Sequence, residues 1–371
     1  MIRNQKYIKG TCVYRFVEVE FININFYLTF LVLGIVLSLI SCNKEMPNKN
    51  EKSKWIENAF RSLKNNRYPK VKAISWWNEN FDNSLLRVNT SIESLMAYKD
   101  GVNSAFIVSK ANIKSNKLVE PKSGIYHAAY PDFGGTEDVV SKERIIDFES
   151  LVDKDLTWAY FSNNWYNNIH FPSMEVAIIK STSKIPFIRI MPRSNFEVGG
   201  PDPNYTLQNI IDGKFDLELT QWALDASKTN TPLLAEFGTE VNGNWFPWNG
   251  QYNGAGDSLR YGDKQVFDGA ERFIDAYRHI IDICNLNEAY NITWFYHVDA
   301  YSYPNVNWNQ MELYYPGDTY IDWLGVSIYG PQQPNEAYHE FSDIMNDIYP
   351  RLIDMSDKPI AILEFAITEL N

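Results

Sequence analysis

Eight short apolar segments, most of them separated by stretches with helical spacing, predict an α/β fold of the TIM (β/α)8 barrel class. Seven of the segments follow Gly124 and alternate with helices, the pattern of parallel strands joined by crossover helices. The eighth, Val71–Trp77, stands earlier in the chain. About 250 residues are typical of such a barrel, so the 371-residue chain has room for one barrel after a leader.

The first residues have the composition of a lipoprotein signal peptide. Residues 1–41 include the uninterrupted apolar run Phe26–Ile40, which is short for a membrane span but has the length of a signal-peptide core. The run leads into Leu-Ile-Ser-Cys, which resembles the lipobox of bacterial lipoproteins, with Cys42 as the acylated residue. Residues 42–52 are polar and Lys-rich, as in a flexible tether. We therefore expect a lipid-anchored protein of the cell envelope, facing the periplasm or the outer surface.

Residues 53–371 are expected to form one catalytic domain, which begins with a helix–strand–helix unit at 53–101. The unit comprises a helix at Trp55–Leu63, the strand Val71–Trp77 and a helix at Ile92–Tyr98. Thr90 and Glu93 have the spacing of a capping box at the start of the second helix. Residues 102–124 are poorly periodic and predict a connector.

The rest of the domain, residues 125–371, alternates between apolar strands and amphipathic helices. Apolar residues recur at helical spacing within 143–152, 215–226, 268–284 and 341–352. The strands are predicted at Ile125–Tyr130, Leu156–Phe161, Ile185–Met191, Pro232–Thr239, Asn291–Val298, Ile321–Tyr329 and Pro359–Phe365.

The segment LLAEFGTEVNGNWFPWNG carries the densest set of polar and aromatic side chains. Glu236 and Glu240 end an apolar strand with the same parity, so both are expected on one side of the pleat. The loop that follows contains Asn242, Trp245 and Trp248. Amides and flat rings hold sugars by hydrogen bonds and stacking, so the segment predicts a carbohydrate site. The alternative is a glycine turn with an exposed acid and core tryptophans.

The C-terminal ends of barrel strands carry the chemistry of this fold. The further candidates at such ends are Trp77, Tyr130, His297, Tyr329 and Glu364. Glu364 follows four apolar residues, where an unpaired acid is costly, and a second carboxylate is available on another strand. The pattern favours a catalytic pair of carboxylates, with the aromatic residues and His297 binding substrate. A core position explains His297 equally well, and Glu236 either adjusts the ionisation of its neighbours or accepts a sugar hydroxyl.

Charge and histidine spacing exclude several other functions. A net charge of −12 is incompatible with phosphate-backbone binding, which needs clustered Lys and Arg. The five histidines show no metal-binding spacing, so we expect no metal and no cofactor. A barrel enzyme with phosphate substrates is disfavoured because the last strands lack a Gly-rich phosphate loop.

Three segments resemble glycoside hydrolase family 26, the β-mannanase-like members of clan A: TEVNGNWFPW around Glu240, YPGDTYIDWLGVSIY ending in Tyr329, and KPIAILEF around Glu364. The resemblance implies that Glu240 is the acid/base and Glu364 the nucleophile of a retaining β-glycosidase acting on mannan or β-glucan. It also implies that Trp245 and Tyr329 contact substrate and that Tyr329 hydrogen-bonds the nucleophile. The substrate is a polysaccharide or oligosaccharide, and we expect a monomer.

Two departures from the family pattern concern the surroundings of the acid/base. Thr239 stands where the family has His, and Glu236 stands where the mannanases carry Arg. These departures weaken the case for mannan but leave the catalytic pair intact. The unit at 53–101 also resembles the family's last helix–strand–helix, which predicts a circular permutation with the connector joining the former ends. The alternatives to permutation are a misassembled or truncated gene and one piece of a tandem array. The alternative to an enzyme is a non-catalytic glycan-binding lipoprotein on the same barrel.

Overall fold

The computed structural model describes residues 6–9, 12–15, 50–81, 83–166, 168–196, 199–333 and 335–369. The chain divides into two compact units, residues 1–48 and 49–371. In the first unit, Lys6–Lys9 and Cys12–Arg15 form an antiparallel pair of strands. The predicted signal core Phe26–Ile40 and the predicted lipid site Cys42 lie outside the described residues. No helix within the described ranges is long and apolar enough to cross a bilayer.

The second unit contains a closed barrel of eight parallel strands, which confirms the predicted fold class. Each strand pairs with the next in the chain, and the last pairs with the first, so the ring closes. The strands are β1 (Val71–Trp77), β2 (Ile125–Tyr130), β3 (Trp158–Asn164), β4 (Ile185–Met191), β5 (Leu233–Phe237), β6 (Ile292–Asp299), β7 (Trp323–Tyr329) and β8 (Ile360–Ala366).

Helices pack around this barrel and supply its outer layer. The described helices are α1 (Glu51–Lys64), α2 (Ile92–Val102), α3 (Lys142–Val152), α4 (Ser173–Ser181), α5 (Leu207–Ile211), α6 (Asp216–Lys228), α7 (Asp268–Leu286) and α8 (Phe341–Met355). The sequence pattern did not predict α4 or α5. Both are short, and α4 buries only Val176 and Ile179, so neither has a wide apolar stripe.

The first two helices begin differently from the prediction. Helix α1 starts at Glu51, so the last two residues of the predicted tether are helical and Lys52 is buried. Helix α2 is capped by Ser91, whose hydroxyl accepts the backbone N–H of Ser94, rather than by Thr90. The hydroxyl of Thr90 instead accepts a hydrogen bond from the Lys52 ammonium, at 2.9 Å.

The connector contains more regular structure than its poor periodicity indicates. Residues Ile107–Val108 pair with β2, and Asn112–Lys114 forms a hairpin with Lys117–Val119. The hairpin contacts the starts of β6 and β7: the Leu118 N–H donates to the Thr293 hydroxyl, and the Trp323 indole donates to the Leu118 carbonyl. The connector therefore covers the N-terminal end of the barrel and leaves the opposite end to the βα loops. One such loop carries a second hairpin, Asn80–Phe81 with Ser84–Leu85.

Candidate active site

The barrel brings together the two carboxylates predicted as a catalytic pair. Glu240 follows β5 by three residues and Glu364 lies in the C-terminal half of β8. One oxygen of each, together with one ring nitrogen of His297, lies within 4.8 Å of the other two atoms. The side chains are mostly covered, since Glu240 is 7% exposed and Glu364 is 5% exposed. Two carboxyl groups that lie this close together and are this well shielded from solvent cannot both ionise easily.

Glu364 is held by two donors that favour its charged form. The Tyr329 hydroxyl donates to Oε2 at 2.7 Å, the contact that the family resemblance implies. The guanidinium of Arg189 lies 3.1 Å from Oε1. Burial raises the pKa of Glu364 to about 7, Arg189 opposes that rise, and Glu240 adds to it. The contact with Arg189 therefore favours the charged form of Glu364, while burial opposes it.

Glu240 lies in a tight turn that fixes its direction. Its backbone has a φ of +49°, uncommon for a residue with a side chain, and its carbonyl accepts the N–H of Gly243. A Cβ on Gly243 would come within 2.2 Å of the Trp245 ring, so only glycine lets that indole fold back over the turn. The Trp245 indole N–H then donates to Oε2 of Glu240 at 2.8 Å.

The surroundings of Glu240 also favour its protonated form. Burial raises the pKa of Glu240, and the nearby carboxylate of Asp299 raises it further. His297 and a hydrogen bond from Ser327 oppose this rise. Glu240 makes no salt bridge comparable to the one between Arg189 and Glu364. The two acids therefore have environments suited to different roles, a proton donor and a nucleophile.

Arg189 is the cationic centre of the site, although the sequence analysis gave it no role of its own. Its guanidinium lies 3.0 Å from Glu137, 3.5 Å from Glu236 and 3.1 Å from Glu364. The side chain is 3% exposed and projects from β4. The signal that could have identified it is an arginine within an apolar strand, because a buried charge requires partners. Glu137 lies in a loop without any comparable signal.

Glu236 is fully buried, which decides between its two predicted roles. Oε1 accepts the hydroxyl of Tyr160 at 2.5 Å, and Oε2 lies 2.9 Å from Nδ1 of His297. A carboxylate with no exposed surface cannot accept a sugar hydroxyl. Glu236 therefore acts on its protein neighbours, and it contacts both Arg189 and His297.

Two of the predicted substrate-binding residues lie inside the protein and use all their polar atoms there. His297 makes hydrogen bonds at both ring nitrogens, and its Nε2 lies 2.9 Å from the Ser327 hydroxyl. Asn242 donates to the Asp299 carbonyl and accepts the Asp299 N–H. The prediction that these two side chains contact sugar does not fit their surroundings. Asn242 joins the β5 loop to the end of β6 instead.

Three of the predicted aromatic residues are also covered. Trp248 is 1% exposed, stacks on Phe246 and donates its indole N–H to the carbonyl of Thr239. Trp77 stacks on Tyr130 with ring centroids 4.2 Å apart, while the Arg189 guanidinium lies over the Trp77 ring. Neither Trp77 nor Trp248 presents an open ring face, so the structure gives both a packing role. Tyr130 is fully buried.

The aromatic rings that face solvent include two predicted substrate contacts and two rings that were not predicted. Trp245 and Tyr329 are partly exposed, as a substrate contact requires. Tyr303 is 63% exposed, and its ring centroid lies 6.4 Å from that of Trp245. Phe196 is 56% exposed and covers the guanidinium of Arg193 at 4.4 Å. Large exposed rings beside a buried acid pair mark a binding surface.

Glu240, His297 and Glu364 form the group among the described residues that could surround a metal ion. The chemistry of the donors argues against that use. Both nitrogens of His297 already have hydrogen-bond partners, and Glu364 pairs with Arg189. A ligating imidazole needs a free lone pair, so these three residues fit a hydrogen-bonded acid pair better than a metal site.

A paired-carboxylate site at the C-terminal end of a (β/α)8 barrel is the arrangement of glycoside hydrolases. Part of the chain is similar to glycosyl hydrolase family 26. The sequence model of that family matches residues 204–358, which include Glu240 and Tyr329 but not Glu364.

Curated relatives each align with less than half of the chain. Endoglucanase H of Acetivibrio thermocellus is 31% identical over 171 residues, 45% of this chain and 17% of that protein. A β-1,3-xylanase of a Vibrio species is 26% identical over 137 residues, 37% of this chain and 25% of that protein. The chain thus spans a quarter or less of the length of these two relatives.

Solved structures of the same family are more distant in sequence. A family 26 β-mannanase from Bacteroides ovatus is 15% identical, with 85% of this chain and 76% of that chain covered and a TM-score of 0.38. A ruminal family 26 endo-β-1,4-mannanase is 13% identical, with 74% and 62% covered and a TM-score of 0.42.

Proposed function

We propose that this protein is a retaining endo-β-glycosidase that uses Glu364 as nucleophile and Glu240 as acid/base. The observation that carries the proposal is the distance between the two carboxylates, whose nearest oxygens lie within 4.8 Å. Retaining enzymes hold their carboxyl groups about 5–5.5 Å apart, whereas inverting enzymes need about 6.5–9.5 Å to admit a water molecule.

The reaction proceeds in two displacements. In the first, an oxygen of Glu364 attacks the anomeric carbon while Glu240 gives its proton to the departing glycosidic oxygen. In the second, Glu240 takes a proton from water, which attacks the same carbon and releases Glu364. Arg189 and Tyr329 stabilise the ionised Glu364 before the first step. They stabilise its carboxylate again when the second step releases it.

The substrate class follows from the open loops and from the relatives. Exposed rings such as Tyr303 and Phe196 extend the binding surface beyond the acid pair, which suits a polysaccharide cleaved internally. The relatives include an endoglucanase, β-1,3-xylanases and β-mannanases. We therefore place the substrate among β-glucan, β-1,3-xylan and β-mannan.

The test is hydrolysis of a panel by the soluble chain from Asn43: β-mannan, β-1,3-glucan, mixed-linkage glucan, β-1,4-xylan and β-1,3-xylan. The Glu364→Ala variant is measured beside it, with Glu218→Ala on the surface of α6 as matched control. We expect internal cleavage of at least one polymer, lost in Glu364→Ala and kept in the control. Binding of a polymer by a folded chain without any cleavage would overturn the proposal in favour of a glycan-binding protein.

We also propose that the protein is a lipoprotein of the cell envelope, with Cys42 as the lipid-modified residue. The support is the lipobox-like Leu-Ile-Ser-Cys after an apolar run. Metabolic labelling with a fatty acid should mark the full chain and leave Cys42→Ser unlabelled. Equal labelling of both would contradict the assignment.

A further inference from the structure

A chain of buried hydrogen bonds leads from Glu236 to the acid/base Glu240. Oε2 of Glu236 lies 2.9 Å from Nδ1 of His297, and Nε2 of His297 lies 2.9 Å from the Ser327 hydroxyl. The Glu240 carboxyl lies within 4.8 Å of a His297 ring nitrogen, and the Ser327 hydroxyl beside it acts as a donor that lowers the pKa of Glu240. Glu236, His297 and Ser327 are covered from solvent, so none of them reaches a bound sugar.

The donors around Glu236 hold it in the charged form. Burial opposes its ionisation, but His297, Arg189 and the Tyr160 hydroxyl together lower its pKa. An ionised carboxylate only accepts hydrogen bonds, so the 2.9 Å contact with Glu236 favours a proton on Nδ1 of His297, and the Thr239 hydroxyl 2.7 Å from that nitrogen then acts as an acceptor. The same carboxylate raises the pKa of His297 above its ordinary value, although burial alone would lower it. His297 is thereby stabilised as an imidazolium with a proton on each nitrogen.

The imidazolium determines the direction of the remaining hydrogen bonds. Because Nε2 of a charged His297 donates to Ser327, the hydroxyl oxygen is used as an acceptor and its proton is free to be donated to Glu240. A neutral imidazole with its proton on Nδ1 would instead accept the Ser327 proton, and Glu240 would keep only the Trp245 indole as a donor. The charge on Glu236 therefore affects Glu240, two hydrogen-bonded groups away.

We propose that Glu236, His297 and Ser327 form a positioning relay that orients Glu240 and favours the carboxylate it becomes after protonating the leaving group. The kinetic consequence of this relay rests on the proposed function. The relay explains why His297 lies beside two catalytic carboxylates although both of its ring nitrogens bind protein groups rather than substrate.

Other charged groups face the relay from the strands around it. Arg189 approaches Glu236 from β4, Glu364 faces His297 from β8, and Asp299 follows His297 on β6. The titratable or charged neighbours among the described residues are Tyr160, Arg189, Glu240, Tyr277, Asp299 and Glu364. Removing the charge of Glu236 also changes its contacts with Arg189 and Tyr160, so the protonation of His297 is measured directly.

The experiment uses Glu236→Gln, which keeps the shape of the side chain and removes its charge. The first readout is the nitrogen NMR spectrum of histidine-labelled protein, with the His297 signals identified by their loss in His297→Gln. We expect both nitrogens of His297 to be protonated at neutral pH in the native chain and only one in Glu236→Gln. A singly protonated His297 in the native chain would overturn the proposal, whether or not the protein hydrolyses any polymer.

The second readout is the pH profile of kcat/KM on the substrate found in the panel. Loss of a nearby positive charge raises the pKa of Glu240, so the alkaline limb should move to higher pH by about one pH unit in Glu236→Gln. The matched control is Asp216→Asn, which removes the carboxylate partner of His279 on the outer helices. An alkaline limb that stays in place in Glu236→Gln would also overturn the relay.

A second variant covers the case in which Glu236→Gln does not fold. Ser327→Ala removes only the last hydroxyl and keeps the pair of Glu236 and His297. His297 should remain doubly protonated in this variant while the alkaline limb still rises, because Glu240 has lost the Ser327 donor and keeps only Trp245. If the alkaline limb does not move in Ser327→Ala, Ser327 does not carry the effect of His297 to Glu240 and the relay is wrong.

Discussion

At the scale of single residues, Trp245 combines two functions that substitution can separate. Trp245→Phe keeps a ring but removes the N–H that donates to Glu240. We expect kcat to fall about tenfold with little change in KM, since one hydrogen bond to a charged group is worth about 1.5–3 kcal/mol at most. Trp245→Ala should raise KM as well, because the ring face is also lost. Steady-state kinetics measure both, with Trp308→Phe as control.

Arg189 provides a second prediction at this scale. Lys in its place is a point charge that cannot reach Glu137, Glu236 and Glu364 together. The pKa of Glu364 should rise further, and because the nucleophile must be ionised, the acidic limb of kcat/KM should move to higher pH. We expect a loss of about 10²–10³ in kcat at the optimum.

The control for Arg189→Lys is Arg351→Lys, which alters an arginine paired with Glu312 on the surface. A pH profile of Arg189→Lys that matches the native one would show that Arg189 does not control the ionisation of Glu364.

At the scale of elements, the segment after β8 is tied to the first helices through one carboxylate. Glu369 accepts hydrogen bonds from Asn50 and from the hydroxyls of Thr90, Ser91 and Ser94. The buried Lys52 lies close to this carboxylate, and burial lowers the pKa of that lysine to about 7. The start of α1, the start of α2 and the end of β8 are therefore fixed to one another.

Glu369→Ala should leave several of these donors without an acceptor. We expect the free energy of unfolding to fall by about 1–3 kcal/mol, the cost of unsatisfied buried donors. Chemical denaturation measures the change, and Glu218→Ala on the surface of α6 serves as control. Equal stability of Glu369→Ala and the native chain would mean that water replaces the carboxylate without cost.

At the scale of the whole molecule, a closed ring of eight strands has the same geometry whichever strand comes first in the chain. The predicted circular permutation therefore remains a prediction. It can be tested by reordering the gene. The side chains of Asn50 and Glu369 are in contact, so a short linker can join those positions. The new ends would lie in the hairpin turn at Ser115 and Asn116, both of which have positive φ.

We expect the reordered chain to fold and to keep its activity within about threefold, since no barrel contact is cut. Circular dichroism and the polymer panel measure the outcome. A chain opened within β5 is the control that should not fold. Failure of both chains would mean that the connector, with its contacts to β6 and β7, is required in one piece.

Much of the barrel could be predicted because its strands are short apolar runs bounded by polar loops, as at Ile185–Met191, where prediction and structure coincide. Glu240 and Glu364 could be predicted because acids at the ends of such runs are rare. The covered state of Trp248 and His297 could not, because a tryptophan or histidine at a strand end has the same sequence pattern whether it faces the cleft or the core. Only the packing of Phe246 and Glu236 against them decides.

The position of β8 as the last barrel strand in chain order has a consequence for biosynthesis. Until Ile360–Ala366 has been made, the edges of β7 and β1 have no partner, and unpaired edges invite association with other chains. The proposed nucleophile Glu364 lies on this same strand. A nascent chain is therefore inactive and prone to aggregation until its ring closes, so catalytic competence and protection from aggregation are acquired in the same event.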